Sequence, residues 1–154
     1  MFRWNISAPT SQLYDQTDFY RAFGRDLRSV RRRIVIESPF ITERRFYSIM
    51  PLIERAIRRD VIVTINTRNP DEHELVMRNQ ALNCIGTLQG LGVRVIYTGT
   101  LHRKIAILDD IAWEGSLNIL SQSDSCEIMR RTESPEYAHQ LIHFMKMAKW
   151  YNEG

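Results

Sequence analysis

The sequence predicts an α/β protein in which a mixed, mostly parallel β-sheet is flanked by helices on both faces. First, apolar strand-like runs alternate with helical segments over residues 17–97. Second, two later apolar runs are separated only by Asp109-Asp110. Strands joined through helices form parallel βαβ units, whereas a two-residue connection forms an antiparallel hairpin. The length suits a single domain over residues 1–154.

Four segments carry apolar residues at helical spacing and are predicted to be helices. In the first, Phe19, Phe23 and Leu27 follow Thr17, a residue type that caps helix N-termini. In the second, Pro51 either kinks the helix or begins a new one, because proline lacks the N–H that an interior turn needs. The predicted helices span residues 17–31, 42–60, 70–91 and 135–150.

Six short apolar runs are predicted to be strands, and several of them are rich in Val and Ile. Pro39 closes the first strand, and residues 1–14 are expected to be irregular or extended. The predicted strands span residues 33–38, 61–67, 93–97, 104–108, 111–114 and 126–130.

The composition is that of an ordinary globular protein, with 44% hydrophobic and 25% charged residues, which excludes a disordered or fibrous chain. The net charge of +3 is compatible with an anionic partner. No window approaches the roughly 20 apolar residues of a membrane span, and the first residues lack a signal peptide. A soluble, cytoplasmic protein with no membrane partner is therefore expected. In that compartment Cys84 and Cys126 are expected to be reduced, partly buried thiols.

The residues that indicate chemistry lie around the predicted hairpin. His102 and Lys104 are two apart, so on an extended strand both side chains point to the same face. A neutral imidazole supplies a nucleophilic nitrogen and the ammonium offsets phosphate charge, which suits attack on a phosphodiester. The hairpin returns to Gly115, after which Ser116 and Asn118 offer small hydrogen-bond donors to phosphate oxygens.

Within 17 residues, the chain reads His-x-Lys-x4-Asp followed by Gly-Ser-x-Asn. This pattern resembles the HKD motif of the phospholipase D superfamily, in particular its bacterial nuclease-like phosphodiesterases with a single motif. The resemblance implies that His102 attacks phosphorus to form a covalent phosphohistidine, and that Lys104, Ser116 and Asn118 bind the substrate phosphate. It also implies that a second motif histidine protonates the leaving oxygen, and that catalysis needs no metal and no other cofactor.

The chain has four histidines and only His102 stands in the motif context. The second catalytic histidine is therefore expected from another copy of the chain, in a homodimer whose site lies at the two-fold axis. His73 is expected to be a solvated helix residue. His139 and His143 are spaced as a metal-binding pair, but no third ligand is apparent, so no metal site is predicted.

The resemblance also implies a catalytic acidic partner for the motif histidine. Glu127, nine residues past Asn118, is predicted to hydrogen-bond His102 and so fix its imidazole.

Asp109 is predicted to be structural, because the strand residues between it and His102 span roughly 15 Å or more. Five residues separate Asp109 from Gly115, where the family usually has six. Either a shorter turn absorbs this difference, which is the favoured interpretation, or the strand register shifts by one.

Several further residues are candidates for contacts at the site. Arg68 follows a strand that is expected to end at the catalytic edge, and is a possible auxiliary phosphate ligand. Arg103 is expected on the face opposite His102, in a salt bridge or in solvent, although contact with substrate at a dimer cleft is an alternative. The clusters Arg31–Arg33 and Arg44–Arg45 are either nucleic-acid phosphate contacts or ordinary solvated charge.

Three functions are open at this point. The favoured one is an endonuclease-like phosphodiesterase that cleaves nucleic acid, DNA ahead of RNA, alone or in fusion or association with a larger nucleic-acid-processing protein. The second is a phospholipid phosphodiesterase or phosphatidyltransferase, which is disfavoured because no exposed amphipathic stretch suits a bilayer. The third is a non-catalytic dimer that binds nucleic acid, which the intact motif disfavours.

Overall fold

The computed structural model describes residues 10–149, which form one seven-stranded sheet, four α-helices and a short 3₁₀ turn. No helix in this range is both long and apolar enough to cross a lipid bilayer. In chain order the elements are β1 (Thr10–Asp15), α1 (Phe19–Ser29), β2 (Arg33–Glu37), α2 (Glu43–Arg58), β3 (Ile62–Thr67), the 3₁₀ turn (Pro70–Glu72), α3 (Leu75–Gly90), β4 (Arg94–Tyr97), β5 (Ile105–Leu108), β6 (Ile111–Gly115), β7 (Ile128–Glu133) and α4 (Pro135–Phe144).

The sheet is mixed, as predicted, with the strand order β1-β7-β6-β5-β2-β3-β4. The strands β2, β3 and β4 pair in parallel, and the remaining pairings are antiparallel. Five strands consequently point the same way, whereas β5 and β7 point the opposite way. This direction pattern places the ends of β2, β3, β4 and β6 at the same edge as the starts of β5 and β7.

Two separate hydrophobic clusters cover the two faces of the sheet, because side chains alternate along each strand. The larger cluster packs α1, α2 and α3 onto one face and is centred on Trp113, with Phe19 and Phe46 fully buried. The smaller cluster packs α4 onto the other face through Leu141 and Ile142. Helices therefore cover both faces, as the sequence predicts.

Pro51 lies inside α2, which continues through it as a single helix from Glu43 to Arg58. Val61 leads into β3. The first predicted strand and the hairpin strands appear close to their predicted positions. The predicted irregular or extended N-terminal segment contains the edge strand β1, and its residues 1–9 lie outside the described range.

Other predicted boundaries were wrong. The expected helix over residues 70–91 is interrupted, because His73 has extended backbone angles after the 3₁₀ turn. The last strand is shifted towards the C-terminus, to Ile128–Glu133. The last helix ends at Phe144, six residues before its predicted end, and the Phe144 side chain is 67% exposed. Trp150, the predicted end of that helix, lies outside the described residues.

The hairpin absorbs its shortened spacing through a two-residue turn. Leu108 pairs with Ile111 and Ile105 pairs with Glu114 without a bulge. Asp109 has a φ of 53°, a left-handed conformation that aspartate adopts more readily than most residues. The register of β6 is therefore intact at Gly115, and the turn that follows it returns to the start of β5.

Candidate active site

His102 and Lys104 lie in the extended segment that leads into β5, because the strand begins at Ile105 rather than at Lys104 as predicted. The backbone carbonyl of Lys104 still accepts a hydrogen bond from Gly115 N at 3.3 Å, so the strand pairing continues one step beyond the assigned strand. The Lys104 ammonium donates to the His102 carbonyl at 2.6 Å. The His102 ring is exposed, so a substrate can reach it.

Arg68 lies against the His102 ring. It follows β3, and its guanidinium donates to the carbonyl of Leu101 at 2.7 and 3.2 Å. The same Nη2 atom lies 3.3 Å from Nε2 and 3.5 Å from Nδ1 of His102. The Arg68 guanidinium therefore stands against the imidazole, and the Lys104 ammonium lies at the backbone carbonyl of the same residue. Two cationic side chains near His102 suit an anionic substrate.

Glycine is required at position 115, at the end of β6, because the backbone of β7 approaches very closely there. A Cβ atom at Gly115 would overlap the backbone carbonyl of Ile128, so only glycine fits without a shift of one strand. Ser116 N donates to that carbonyl at 2.9 Å, and Ser116 Oγ accepts from Ile128 N at 3.0 Å. The hydroxyl of Ser116 thus holds the start of β7 in this structure, a role that the sequence analysis did not predict.

Asn118 and Glu127 line one small recess together with Tyr20 and Arg45. Asn118 Oδ1 is buried and has no hydrogen-bond partner among the described residues, so this acceptor is unsatisfied in the structure. No hydrogen bond joins Glu127 to His102 within residues 10–149. The backbone N–H of Glu127 donates to Gln16 Oε1, and Arg68 is the polar neighbour of the His102 ring. The expected Glu127–His102 pair is therefore not formed in this structure.

A buried polar network lies beneath the motif, and it contains the salt bridge that was one of the two expectations for Arg103. Its acidic partner, Glu37, was not predicted. Arg103 donates to both carboxylate oxygens of Glu37, at 2.9 and 3.0 Å, and Glu37 is fully buried. Asn66 donates to the same carboxylate at 2.7 Å and accepts from Thr98 at 2.9 Å. The network joins the ends of β2, β3 and β4 to the residue between His102 and Lys104. A glutamate at the end of an otherwise apolar strand is the signal that could have revealed it.

The loop after β6 is anchored to the end of β2. Ser38 Oγ accepts from Leu120 N at 3.1 Å and donates to the carbonyl of Phe40 at 2.9 Å. Thr42 Oγ1 accepts from Gln122 N at 2.8 Å. These bonds set the position of the segment that carries Asn118.

His73 was expected to be solvated on a helix, and this prediction was wrong. Its ring stacks on Phe40, with ring centroids 4.9 Å apart, near Arg68. Burial and the positive charge of Arg68 lower the pKa of His73 below its usual value. The ring therefore favours the neutral form at the same edge of the sheet as His102.

Asp109 lies at the far end of the hairpin and takes no part in this edge. Its carboxylate accepts hydrogen bonds from the backbone N–H groups of Arg31, Arg32 and Arg33, at 2.9, 2.9 and 3.0 Å. These contacts join the hairpin turn to the segment that begins β2. Asp109 thus supports the fold at the opposite end of the sheet from His102.

No group of three or more potential metal ligands occurs in the part of the chain that the structure describes. His139 and His143 are both exposed on α4, with their Nε2 atoms 3.0 Å apart. They lie on a different element from His102 and do not contribute to its surroundings.

The mixed sheet and the polar edge formed by these residues define a phospholipase D-like domain. Residues 24–148 match the family model described as "Cardiolipin synthase, PLD-like domain". The chain belongs to this family, which confirms the superfamily that the motif predicts. A search among curated proteins found no match.

Solved structures share the fold at low sequence identity. NucT from Helicobacter pylori has a TM-score of 0.73 and 21% identity, over 92% of this chain and 97% of that one. Nuc from Salmonella typhimurium, a phospholipase D family member, has a TM-score of 0.74 and 15% identity, over 90% and 93%. The phosphatidylserine synthase of Haemophilus influenzae Rd KW20 has a TM-score of 0.70 and 14% identity, over 88% of this chain and 36% of that chain.

Proposed function

We propose that the protein is a nuclease-like phosphodiesterase that cleaves the backbone of nucleic acid, DNA ahead of RNA, without a metal ion. The observation that carries the proposal is the grouping of His102, Lys104 and Arg68 at one open edge of the sheet. A nucleophile flanked by two cations suits a charged phosphodiester better than a neutral ester or amide.

In the proposed reaction, a ring nitrogen of His102 attacks phosphorus and the bond from phosphorus to the leaving oxygen breaks. The leaving oxygen takes a proton from the second copy's His102. That imidazole then removes a proton from water, whose oxygen attacks phosphorus and breaks the P–N bond. Lys104, Asn118 and Arg68 bind the phosphate oxygens, and Ser116 does so if it gives up its bond to Ile128. Glu127 is proposed to hydrogen-bond His102 in the assembled site.

Cleavage should be tested with end-labelled single- and double-stranded DNA and RNA in the presence of EDTA. We expect cleavage to survive EDTA, and His102→Ala to lower the rate by about 10³-fold or more, as the loss of other catalytic nucleophiles does. His139→Gln is the matched control, because His139 is exposed on α4 and should leave the rate unchanged. Cleavage that requires added Mg²⁺, or that persists in His102→Ala, would refute this mechanism.

The shared site requires a homodimer, and the histidine count supports it because only His102 stands in a motif. Light scattering should give twice the chain mass of 18.2 kDa. Equal, random mixing of wild-type and His102→Ala chains should leave about one quarter of the wild-type activity per chain pair, because only wild-type pairs have both histidines. A value of one half would mean that each chain carries a complete site.

A phospholipid substrate is the second candidate, and the family description itself favours it because it names cardiolipin synthase. The same preparation should be incubated with phosphatidylglycerol vesicles and assayed for phosphatidic acid and for transfer products. Hydrolysis or transfer on vesicles without cleavage of any nucleic acid would overturn the nuclease proposal in favour of this one.

A further inference from the structure

We propose that the outer face of α1, continued by an arginine-lined cleft at its C-terminal end, binds the phosphate backbone of nucleic acid outside the active site. We call this surface the arginine track and define it by Arg21, Arg25, Arg28, Arg31 and Arg59. The inference rests on the proposed function, since it concerns how the part of a long substrate that extends beyond the active site is held.

The first observation is the spacing of the arginines on α1. Arg21, Arg25 and Arg28 are four and three residues apart, so they share one helix face, and all three are exposed. Phe19, Phe23 and Leu27 are buried on the opposite face of α1. At about 1.5 Å per residue, the three arginines extend over roughly 10 Å of the helix.

The second observation is that the acidic residue of α1 does not pair with this row. Asp26 is the one acidic residue of α1, and it is buried and bonded to Trp113 and Arg131 at 2.8 Å. Within residues 10–149, the guanidinium groups of Arg21, Arg25 and Arg28 form no ion pair or hydrogen bond. Like charges four apart on a helix are destabilising, so a bound anion would relieve this repulsion.

The third observation is the cleft at the C-terminal end of α1. It is lined by Arg28, Ser29, Val30, Arg31 and Arg59, with no carboxylate among them. Two backbone carbonyls, those of Leu27 and Val30, each accept from Arg59 Nη2 at 3.0 Å and hold that guanidinium in place. A cleft lined by three arginines and no carboxylate suits a phosphate group.

The N-terminal end of α1 connects the track to the catalytic edge. Tyr20 OH donates to the carbonyl of Ile119 at 2.8 Å, and the Arg45 guanidinium lies 3.6 Å over the Tyr20 ring. Both side chains line the recess that also contains Asn118. Arg45 Nε is buried without a hydrogen-bond partner in the described residues. A strand bound at the motif can therefore continue past Arg45 onto α1.

The chemistry of the track favours nucleic acid over an anionic membrane. Helices that lie on membranes insert an apolar face between the lipids, but the apolar face of α1 is buried in the core. The exposed large hydrophobic side chains of the described residues lie on other segments, none of them in residues 19–33. Arginines spaced along one line instead suit successive backbone phosphates.

The double variant Arg25→Ala/Arg28→Ala tests the track. Binding of a labelled 30-nucleotide DNA should be measured in the His102→Ala background at several salt concentrations. We expect affinity to fall about tenfold at moderate salt, and the slope of log K against log salt to decrease by about 2, one for each lost phosphate contact. Arg78→Ala/Arg130→Ala removes the same net charge elsewhere and should change the slope by less than half as much.

Turnover separates the track from the catalytic site. With His102 intact, Arg25→Ala/Arg28→Ala should raise KM for the long DNA several-fold. The same variant should leave hydrolysis of bis(p-nitrophenyl) phosphate unchanged, because a diester of this size bound at His102 is too short to extend to α1. Equal losses in the track and control variants would overturn the proposal, as would a track variant that loses binding to phosphatidylglycerol vesicles but not to DNA. If the wild-type chain hydrolyses the small diester but neither binds nor cleaves nucleic acid, the proposed function itself fails.

Discussion

At the scale of single residues, the buried carboxylate of Glu37 orders the polar edge of the sheet beside His102. It holds Arg103 through two hydrogen bonds, and Arg103 stands between His102 and Lys104 in the chain. Neighbouring side chains of an extended segment alternate between the two faces of a sheet. Because Glu37 fixes Arg103 on one face, His102 and Lys104 are directed towards the other. Glu37 thus acts on the motif through its neighbour, as a positioning residue.

Replacing Glu37 with glutamine should weaken this arrangement. We expect Glu37→Gln to lower kcat for phosphodiester cleavage by about 10–100-fold with little change in KM, because the nucleophile is misplaced while the phosphate ligands remain. The matched control is Glu54→Gln, which breaks the exposed Glu54–Arg58 pair on α2. Steady-state kinetics and urea unfolding check both variants. A loss of stability in Glu37→Gln with unchanged kcat would make Glu37 purely structural.

Residue identity explains what the sequence could and could not predict about the site. His102, Lys104 and Asn118 are recognisable because their spacing along the chain is itself the motif. Glu37 and Arg103 are distant in sequence, and their pairing depends on β5 lying next to β2. The glutamate at the end of an apolar strand indicates a buried partner, but that strand order follows from tertiary packing, so the sequence does not show that the partner is Arg103.

At the scale of elements, the β5–β6 hairpin joins the two ends of the sheet. At one end, Gly115 allows β7 to approach closely, which places the Ser116 turn. At the other end, Asp109 joins the turn to the start of β2. Asp109 has a left-handed backbone conformation, so the position needs both a carboxylate side chain and a residue type that tolerates positive φ.

Asp109→Ala should therefore destabilise the protein by about 2–4 kcal/mol, because three backbone donors lose a charged acceptor and alanine disfavours the left-handed conformation. Asp109→Asn keeps one acceptor oxygen and tolerates positive φ, so it should cost clearly less. Urea unfolding of the two variants measures the difference. Equal stabilities for alanine and asparagine would contradict the proposed role of the conformation and the hydrogen bonds.

The ends of helices and strands were predicted well where the periodic spacing of apolar residues is strong. They were predicted less well where tertiary contacts determine where an element begins or ends. The helix expected over residues 70–91 breaks because Asn69 caps Asp71 and His73 packs against Phe40. The shift of β7 follows from its pairing with β6, in which Gly115 lies opposite Met129. The contacts of His73 with Phe40 and of Gly115 with Met129 join distant segments, so they leave no pattern in the local sequence.

At the scale of the whole molecule, the core protects one cysteine and leaves the other accessible. Cys84 lies fully buried on α3 in the larger cluster, and burial raises the pKa of its thiol to about 12. Cys126 is exposed in the loop before β7. Because the thiolate is the reactive form, the two thiols should differ strongly in reactivity.

In native protein, we expect an excess of a thiol-specific aryl disulfide reagent to modify Cys126 quickly and Cys84 only as the core opens. A time course of thiol modification, with and without denaturant, measures both. The Cys126→Ser variant isolates the slow phase, whose rate then reports opening of the core around α3. Rapid modification of Cys84 in native Cys126→Ser protein would contradict this packing.

The pairing of β1 with β7 has a consequence for how the chain folds as it is synthesised. Paired residues of these two strands are 113 to 123 positions apart, and β1 lies at the edge of the sheet with no other strand beside it. At about 5–20 residues per second, β1 must wait on the order of 10 s for its partner to leave the ribosome. During this interval its edge is open to strands of other nascent chains, so expression at low temperature or with a chaperone should favour the folded product.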